Sequence, residues 1–129
     1  MSKSRSTGTA AETAVVRYLQ QWWPAAERRA LSGNKDRGDV AGVPGLCVEV
    51  KAAVQPRLAE WKRETLIEQE NAQARFSMLV VKRPRRGVAE WDAFFPTAQF
   101  EGEMFFEGMT PWIRADLQVA VALLRSLGC

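Results

Sequence analysis

The run Leu46-Cys47-Val48-Glu49-Val50-Lys51 is the part of this chain that packing alone explains least. It is β-branched and mostly apolar on both sides, as a central strand is. Alternation puts Leu46, Val48 and Val50 on one face and Cys47, Glu49 and Lys51 on the other. A carboxylate and an ammonium thus stand side by side on a strand that otherwise reads as buried. Charge there is costly unless it is paired or bound to metal. One account is a Glu49–Lys51 ion pair on a water-facing surface. Asp39 offers another. It follows the turn ending at Gly38 and starts a brief strand, Asp39–Gly42; the Val43-Pro44-Gly45 turn then folds it back toward Glu49. Two carboxylates converging beside one lysine raise each other's pKa unless a cation sits between them. Carboxylate oxygens suit Mg2+ or Mn2+.

The chain has no histidine. That removes imidazole acid–base chemistry, Ser-His-Asp and Cys-His nucleophile systems and nearly every zinc hydrolase, leaving carboxylates, lysine and a hard metal ion. Cys47 and Cys129 cannot form a structural zinc site by themselves, and a reducing, intracellular (cytoplasmic) setting is the default expectation. No apolar run is long enough for a membrane span, so no membrane partner is expected. The net charge of +3 is modest, but Lys82-Arg83-Pro84-Arg85-Arg86 concentrates positive charge. This is either a solvated loop or a strip that tracks a polyanion's backbone without sequence choice.

These groups need elements to hold them. Residues 1–8 read as a flexible basic lead-in and 9–129 as one domain, with a core over 9–97 and a C-terminal extension over 98–129. Apolar residues from Ala11 to Trp23 recur at helical spacing, with Thr9 as N-cap and Pro24 as the stop. Ala25–Leu31 is a candidate short strand, and Ser32–Gly38 has turn composition. A second helix is expected from about Arg57 to Ala74, then strands at Ser77–Val81 and Glu90–Phe95 joined as a hairpin across the basic loop. Pro111–Leu127 reads as a third helix. A helix between Lys51 and Ser77 permits a parallel crossover, giving an α/β, or α+β, fold with a mixed sheet flanked by helices. Glu12 lies on the apolar side of the first helix. It is either the far half of a capping box with Thr9 or a further acidic site residue. Trp61, Trp91, Phe94, Phe95, Phe105, Phe106 and Trp112 are numerous for one small core, and some are candidates for a dimer face.

Gly38-Asp39, nine residues, then Glu49-Val50-Lys51 resembles the PD-(D/E)xK nuclease superfamily, with glycine in place of the proline before the aspartate. Within it the chain resembles the phage and archaeal-type Holliday junction resolvases, from Gly8 to about Arg86. The marks are Gly8-Thr9 with Glu12, Arg28-Arg29, Arg37-Gly38-Asp39-Val40-Ala41-Gly42, Glu49-Val50-Lys51 and Val81-Lys82-Arg83. The resemblance implies a restriction-endonuclease-like αβββαβ core with an extra C-terminal helix. It implies one or two Mg2+ (or Mn2+) ions held by Asp39, Glu49, the Val50 carbonyl and Glu12, with Lys51 positioning the attacking water. DNA contacts fall to Arg28, Arg29, Arg37, Lys82, Arg83, Arg85 and Arg86. Arg37 can equally pair with Asp36 or Glu49, and Gln69, Asn71 and Gln73 are either site contacts or ordinary helix surface. The implied activity is endonucleolytic cleavage of branched DNA such as a four-way junction, by a homodimer. Cleavage of flapped or duplex DNA in repair or restriction, and a non-catalytic nucleic-acid-binding module, remain alternatives.

Overall fold

The computed structural model describes residues 3–29, 36–99 and 111–129. Most of the expected Ser32–Gly38 turn, and all of Glu101–Glu107 with Phe105 and Phe106, lie outside the described residues. The elements are α1 (Lys3–Leu19), β1 (Glu27–Arg28), β2 (Val40–Ala41), β3 (Leu46–Lys51), α2 (Leu58–Ala72), β4 (Phe76–Val81), β5 (Asp92–Pro96), β6 (Trp112–Asp116) and α3 (Leu117–Ser126). Short 3-10 turns occupy Val88–Glu90 and Thr97–Gln99.

The main sheet has the order β3-β4-β5-β6. β3 and β4 are parallel, in register from Leu46↔Phe76 to Lys51↔Val81, with α2 as the crossover. β4–β5 and β5–β6 are antiparallel. β1 and β2 form a separate antiparallel ribbon, which the Asp39 N–H ties to the outer edge of β3 by donating to the Val48 carbonyl (2.7 Å).

The alternation in β3 decides which helices cover which face. Leu46, Val48 and Val50 join Phe76, Met78, Val80, Ala93 and Phe95 in a core that α1 closes with Ala11, Val15, Val16 and Leu19 and α3 with Leu117, Ala120, Val121 and Leu124. On the opposite face Leu79, Val81 and Phe94 pack beneath Trp61 of α2. Glu49 and Lys51 share that second face, so α2 is the helix that must accommodate them.

Several expectations are corrected. α1 starts at Lys3, so Thr9 lies inside the helix rather than capping it, and residues 3–8 are helical rather than a loose lead-in. Packing of Ala11 to Leu19 on the sheet nucleates the helix, after which extension toward the N-terminus is inexpensive. α1 ends at Leu19, short of Pro24: the Trp22 and Trp23 amides both donate to the Leu19 carbonyl (3.0 and 2.9 Å) and tighten the chain into turns. Trp112–Asp116 is a strand, not the first turn of a helix, because Trp112 and Ile113 pair with Pro96 and Phe95 on the edge of the sheet. With α3 in the core, residues 112–126 are integral to the domain rather than an extension. Trp61, Trp91, Phe94 and Phe95 are buried within the chain, so they offer no dimer face. No described helix is long and apolar enough to cross a membrane.

Candidate active site

Asp39 is held from three directions. Its N–H donates to the Val48 carbonyl, its carbonyl accepts from the Arg29 N–H (2.8 Å), and its Oδ2 accepts from the Val50 N–H (2.7 Å). Gly38 makes this possible. Its φ is +93°, and a Cβ there would lie 2.8 Å from the Val48 carbonyl oxygen. Glycine therefore stands before the aspartate because only glycine both adopts this φ and clears β3. Gly38→Ala is expected to destabilise the protein by more than about 1 kcal/mol, since the obstruction is backbone. Urea unfolding measures this.

α2 supplies the rest of the site from one stripe, Trp61, Glu64, Glu68 and Asn71, spaced as a helix face requires. Glu64 Oε2 meets Lys51 Nζ at 3.1 Å, and Lys51 also lies 6.0 Å from the Trp61 ring centroid. Asn71 Nδ2 donates to the Asp36 carbonyl (2.9 Å), and the Asp36 Oδ1 accepts from the Gly38 N–H (2.9 Å). At the edge of the site, Glu12 from α1 takes two hydrogen bonds from Arg28, at 2.8 and 3.0 Å.

The result is an acidic cleft of about 480 Å³ lined by Glu12, Asp36, Asp39, Glu49, Val50, Lys51, Glu64, Ile67 and Glu68. Carboxylate oxygens of Asp36, Glu49 and Glu68 lie within 4.8 Å of one another. Glu49 and Glu68 are each only 4 % exposed. Burial, then the neighbouring Glu49 carboxyl, pushes Asp39 up to about 8, against the lowering pull of the Val50 N–H. Glu49 is also pushed to about 8, by burial first, with Glu68 raising it and Asp39 and Lys51 lowering it. Glu68 reaches about 7 through burial and the nearby Asp36 and Asp39. The Asp39 and Glu49 carboxyls are close enough to share a proton and titrate as a unit. Burial alone would lower Lys51, but Glu49, Glu64 and Asp39 outweigh it and hold the amine protonated. Burial also raises Glu12, more than Arg28 lowers it.

The structure thus brings Glu12, Asp39, Glu49, Val50 and Lys51 to one cleft. Residues of a strand direct their N–H and C=O to the same edge, so the Val50 carbonyl faces the edge on which Asp39 lies. Of the polar trio on α2, only Asn71 reaches the site. Gln69 instead donates to the Ala74 and Arg75 carbonyls (both 3.2 Å), and Gln73 is the left-handed C-cap. The basic residues divide. Arg28 is committed to Glu12, Arg83 to Asp92 and Asp116, and Arg86 to Glu90. Among the described residues Arg37, Lys82 and Arg85 have no ion pair, so the pairing of Arg37 with Asp36 or Glu49 is not formed. The Arg29 Nε is buried and unpartnered. Sequence reasoning missed Asp36, Glu64 and Glu68. The available signal was the Glu64, Glu68, Asn71 stripe in the densest acidic stretch, placed on the crossover helix that must cover Glu49. Comparison of the chain with protein-family models, with curated proteins and with solved structures gives no match.

Proposed function

We propose that this chain is a divalent-metal-dependent endonuclease that hydrolyses phosphodiester bonds in DNA, with four-way junctions as its preferred substrate. The observation that carries the reading is the convergence of Asp39, Glu49 and Lys51 in one cleft, the two carboxyls adjacent and the amine beside them. The donors are hard oxygens, and the buried carboxyls are held above their ordinary range for want of compensating positive charge. Both features fit Mg2+ or Mn2+. The order α1-β1-β2-β3-α2-β4, with β3 and β4 parallel, repeats the element succession expected of an αβββαβ core, although β1 and β2 form a separate ribbon rather than strands of the main sheet.

Asp39, Glu49 and the Val50 carbonyl would hold the ion, with Glu12 at the margin. When bound, it supplies positive charge that polarises a phosphoryl oxygen and makes an attacking water easier to deprotonate. Lys51 is protonated and so cannot take that water's proton, which would pass to solvent at the mouth of the cleft. It donates hydrogen bonds to the water and to the phosphoryl oxygens on which charge grows. Glu64 fixes the direction of the Lys51 amine. Glu12 is restrained by Arg28, which keeps its carboxylate turned to the cleft rim.

DNA is favoured by the neighbouring groove of about 700 Å³, lined by Thr7, Ala52, Ala53, Val54, Lys82, Pro84 and Arg85. It begins where β3 leaves the acidic cleft. Lys82 and Arg85, neither committed to an acid among the described residues, are positioned for phosphates, and Val54, fully exposed at 100 %, offers an apolar surface for sugar or base. The double variant Lys82→Ala/Arg85→Ala is expected to weaken DNA binding uniformly across sequences and to lower the slope of log affinity against log salt by about two. Fluorescence anisotropy over a salt series measures it. An unchanged slope means the groove is not the DNA path.

The activity is tested by incubating the chain with a synthetic four-way junction and a matched linear duplex, in Mg2+, in Mn2+ and in EDTA. Metal-dependent cutting of the junction in preference to the duplex is expected. Equal cutting of both transfers the reading to a general duplex nuclease, and no cutting of any DNA leaves a binding module. Symmetric incision of a junction needs two sites, so paired nicks should coincide with a dimer in light scattering.

A further inference from the structure

The groove beside the acidic cleft is apolar where a path for phosphates alone would be polar. Ala52, Ala53, Val54 and Pro84 make up most of its lining, with Lys82 and Arg85 among them, and no carboxylate lines it among the described residues. Phosphates gain nothing from methyl groups, whereas the face of a nucleobase does. Val54 is the most exposed of the large apolar side chains described and adds nothing to the core. The groove's volume of about 700 Å³ lies within the roughly 300–1,000 Å³ of pockets that take small molecules.

One wall continues from the cleft. Ala52 follows Lys51 directly, and Val54 lies no more than about 10 Å of extended chain beyond it. A nucleotide in the groove is therefore a near neighbour of a phosphate held at Lys51. The other wall is a turn with Pro84 and Arg85 as its central residues, closed by the Arg86 N–H donating to the Arg83 carbonyl (3.4 Å). Arg85 has a φ of +64°, in the slot where such a turn favours glycine or asparagine. It is exposed and has no ion pair among the described residues. Folding gains nothing from an arginine held there, so the strain points to what the side chain contacts. Lys82 Nζ lies 5.9 Å from the Trp91 ring centroid, which steadies its stem beside the groove.

We propose that the groove holds one unpaired base of a DNA strand, taken out of the stack beside the scissile phosphate. The base lies on Ala52, Ala53, Val54 and Pro84, and Lys82 and Arg85 hold the phosphates on either side of it. This rests on the nuclease reading and names the feature by which that site selects its substrate. A duplex must be unstacked to place a base there, at a cost that is least where pairing is already interrupted, as at a branch or a flap. Branched DNA is then preferred without any contact that reads sequence.

The probe is 2-aminopurine, whose emission rises when it leaves the base stack. It is placed in turn at each position flanking the branch of a synthetic four-way junction and at matched positions of a linear duplex, with Ca2+ in place of Mg2+ and with saturation of binding followed by anisotropy. A severalfold rise is expected at one position beside the branch and none in the duplex. Val54→Ser, a change at a fully exposed residue, should reduce the rise and lower the ratio of junction to duplex affinity by about fivefold or more. Arg85→Gly should weaken binding to both DNAs and yet raise the melting temperature by a few degrees, since glycine adopts this φ freely. A merely structural role for Arg85 would not separate the two effects. A bound junction with no rise at any flanking position, a rise of the same size in the duplex, or an unaltered affinity ratio in Val54→Ser overturns the proposal. The nuclease reading fails separately: cutting without the rise keeps the activity and removes the base site, the rise without cutting of any DNA does the reverse, and a chain that binds no DNA overturns both.

Discussion

Glu49→Gln is expected to lower Mg2+-dependent DNA cleavage by about a thousandfold or more and, at the same time, to raise the melting temperature of the metal-free protein at alkaline pH. The two effects have one cause. Glu49 sits between Asp39 and Glu68 in a site that is almost wholly out of water. Ionised, it repels both neighbours; with a cation present, it is the carboxylate with most to contribute. The amide of Gln has nearly the same shape, donates hydrogen bonds to the flanking carboxyls and carries no charge. The fold should therefore gain while the metal site loses. Asp39→Asn should act in the same direction, although its amide keeps only one acceptor oxygen for the Val50 N–H that Asp39 Oδ2 now accepts. Lys51→Met separates binding from chemistry: the rate should fall while Mn2+ still binds, because the lost group is a cation and not a ligand. Initial cleavage rates, Mn2+ isotherms and melting curves on the same preparations suffice. Wild-type rates in Glu49→Gln would place the reaction elsewhere on the molecule.

What the sequence made readable, and what it hid, follows from where charge meets packing. β3 was legible to its end residues because a β-branched run with one polar face is hard to mistake. The α2 crossover followed, since strands joined through a helix can lie parallel. α2 itself read as sparse, and the site explains why. Its inward stripe carries Trp61, Thr65 and Glu68 where a purely structural helix would carry aliphatics, so apolar periodicity understated what is buried. Asp36 and Glu68 join the site through tertiary contact with Asn71 and Glu49, and only the placement of α2 over β3 gives the Glu64, Glu68, Asn71 stripe its meaning. At the C-terminal end the opposite problem arose. Trp112 to Leu127 is apolar at nearly every spacing, and period alone does not divide such a run into a strand and a helix. Asp116, extended at the boundary, marks the break. The capping-box alternative for Glu12 requires a helix that starts at Thr9. In a helix that starts at Lys3, its partner is Arg28.

In the absence of divalent cations the protein should become less stable as pH rises from about 5 to about 8.5, by a few kcal/mol and several degrees of melting temperature. The sign comes from the direction of the shifts. Asp39 is raised from 3.8 to about 8, Glu49 from 4.5 to about 8 and Glu68 from 4.5 to about 7. Between the ordinary and the raised values the folded chain holds protons that the unfolded chain has released, so raising the pH favours unfolding. The stabilisation is complete below the ordinary carboxylate range and is lost as pH passes through the raised values. Because the three groups are coupled, they contribute less than three independent shifts would. Divalent cations reverse the trend. A cation competes with protons for these oxygens, so Mg2+ should hardly move the melting temperature near pH 5 and should raise it most near pH 8.5. A concentration of one hundred times Kd contributes about 2.7 kcal/mol there. Glu49→Gln should flatten both the pH dependence and the Mg2+ response, which ties them to the cleft rather than to acids elsewhere on the surface. Melting curves across this pH range, with Mg2+ and with EDTA, measure all three. A metal-free protein whose stability climbs with pH, or a Mg2+ effect of the same size at both ends, would mean that these carboxyls are not buried together in the way that makes the cleft a cation site.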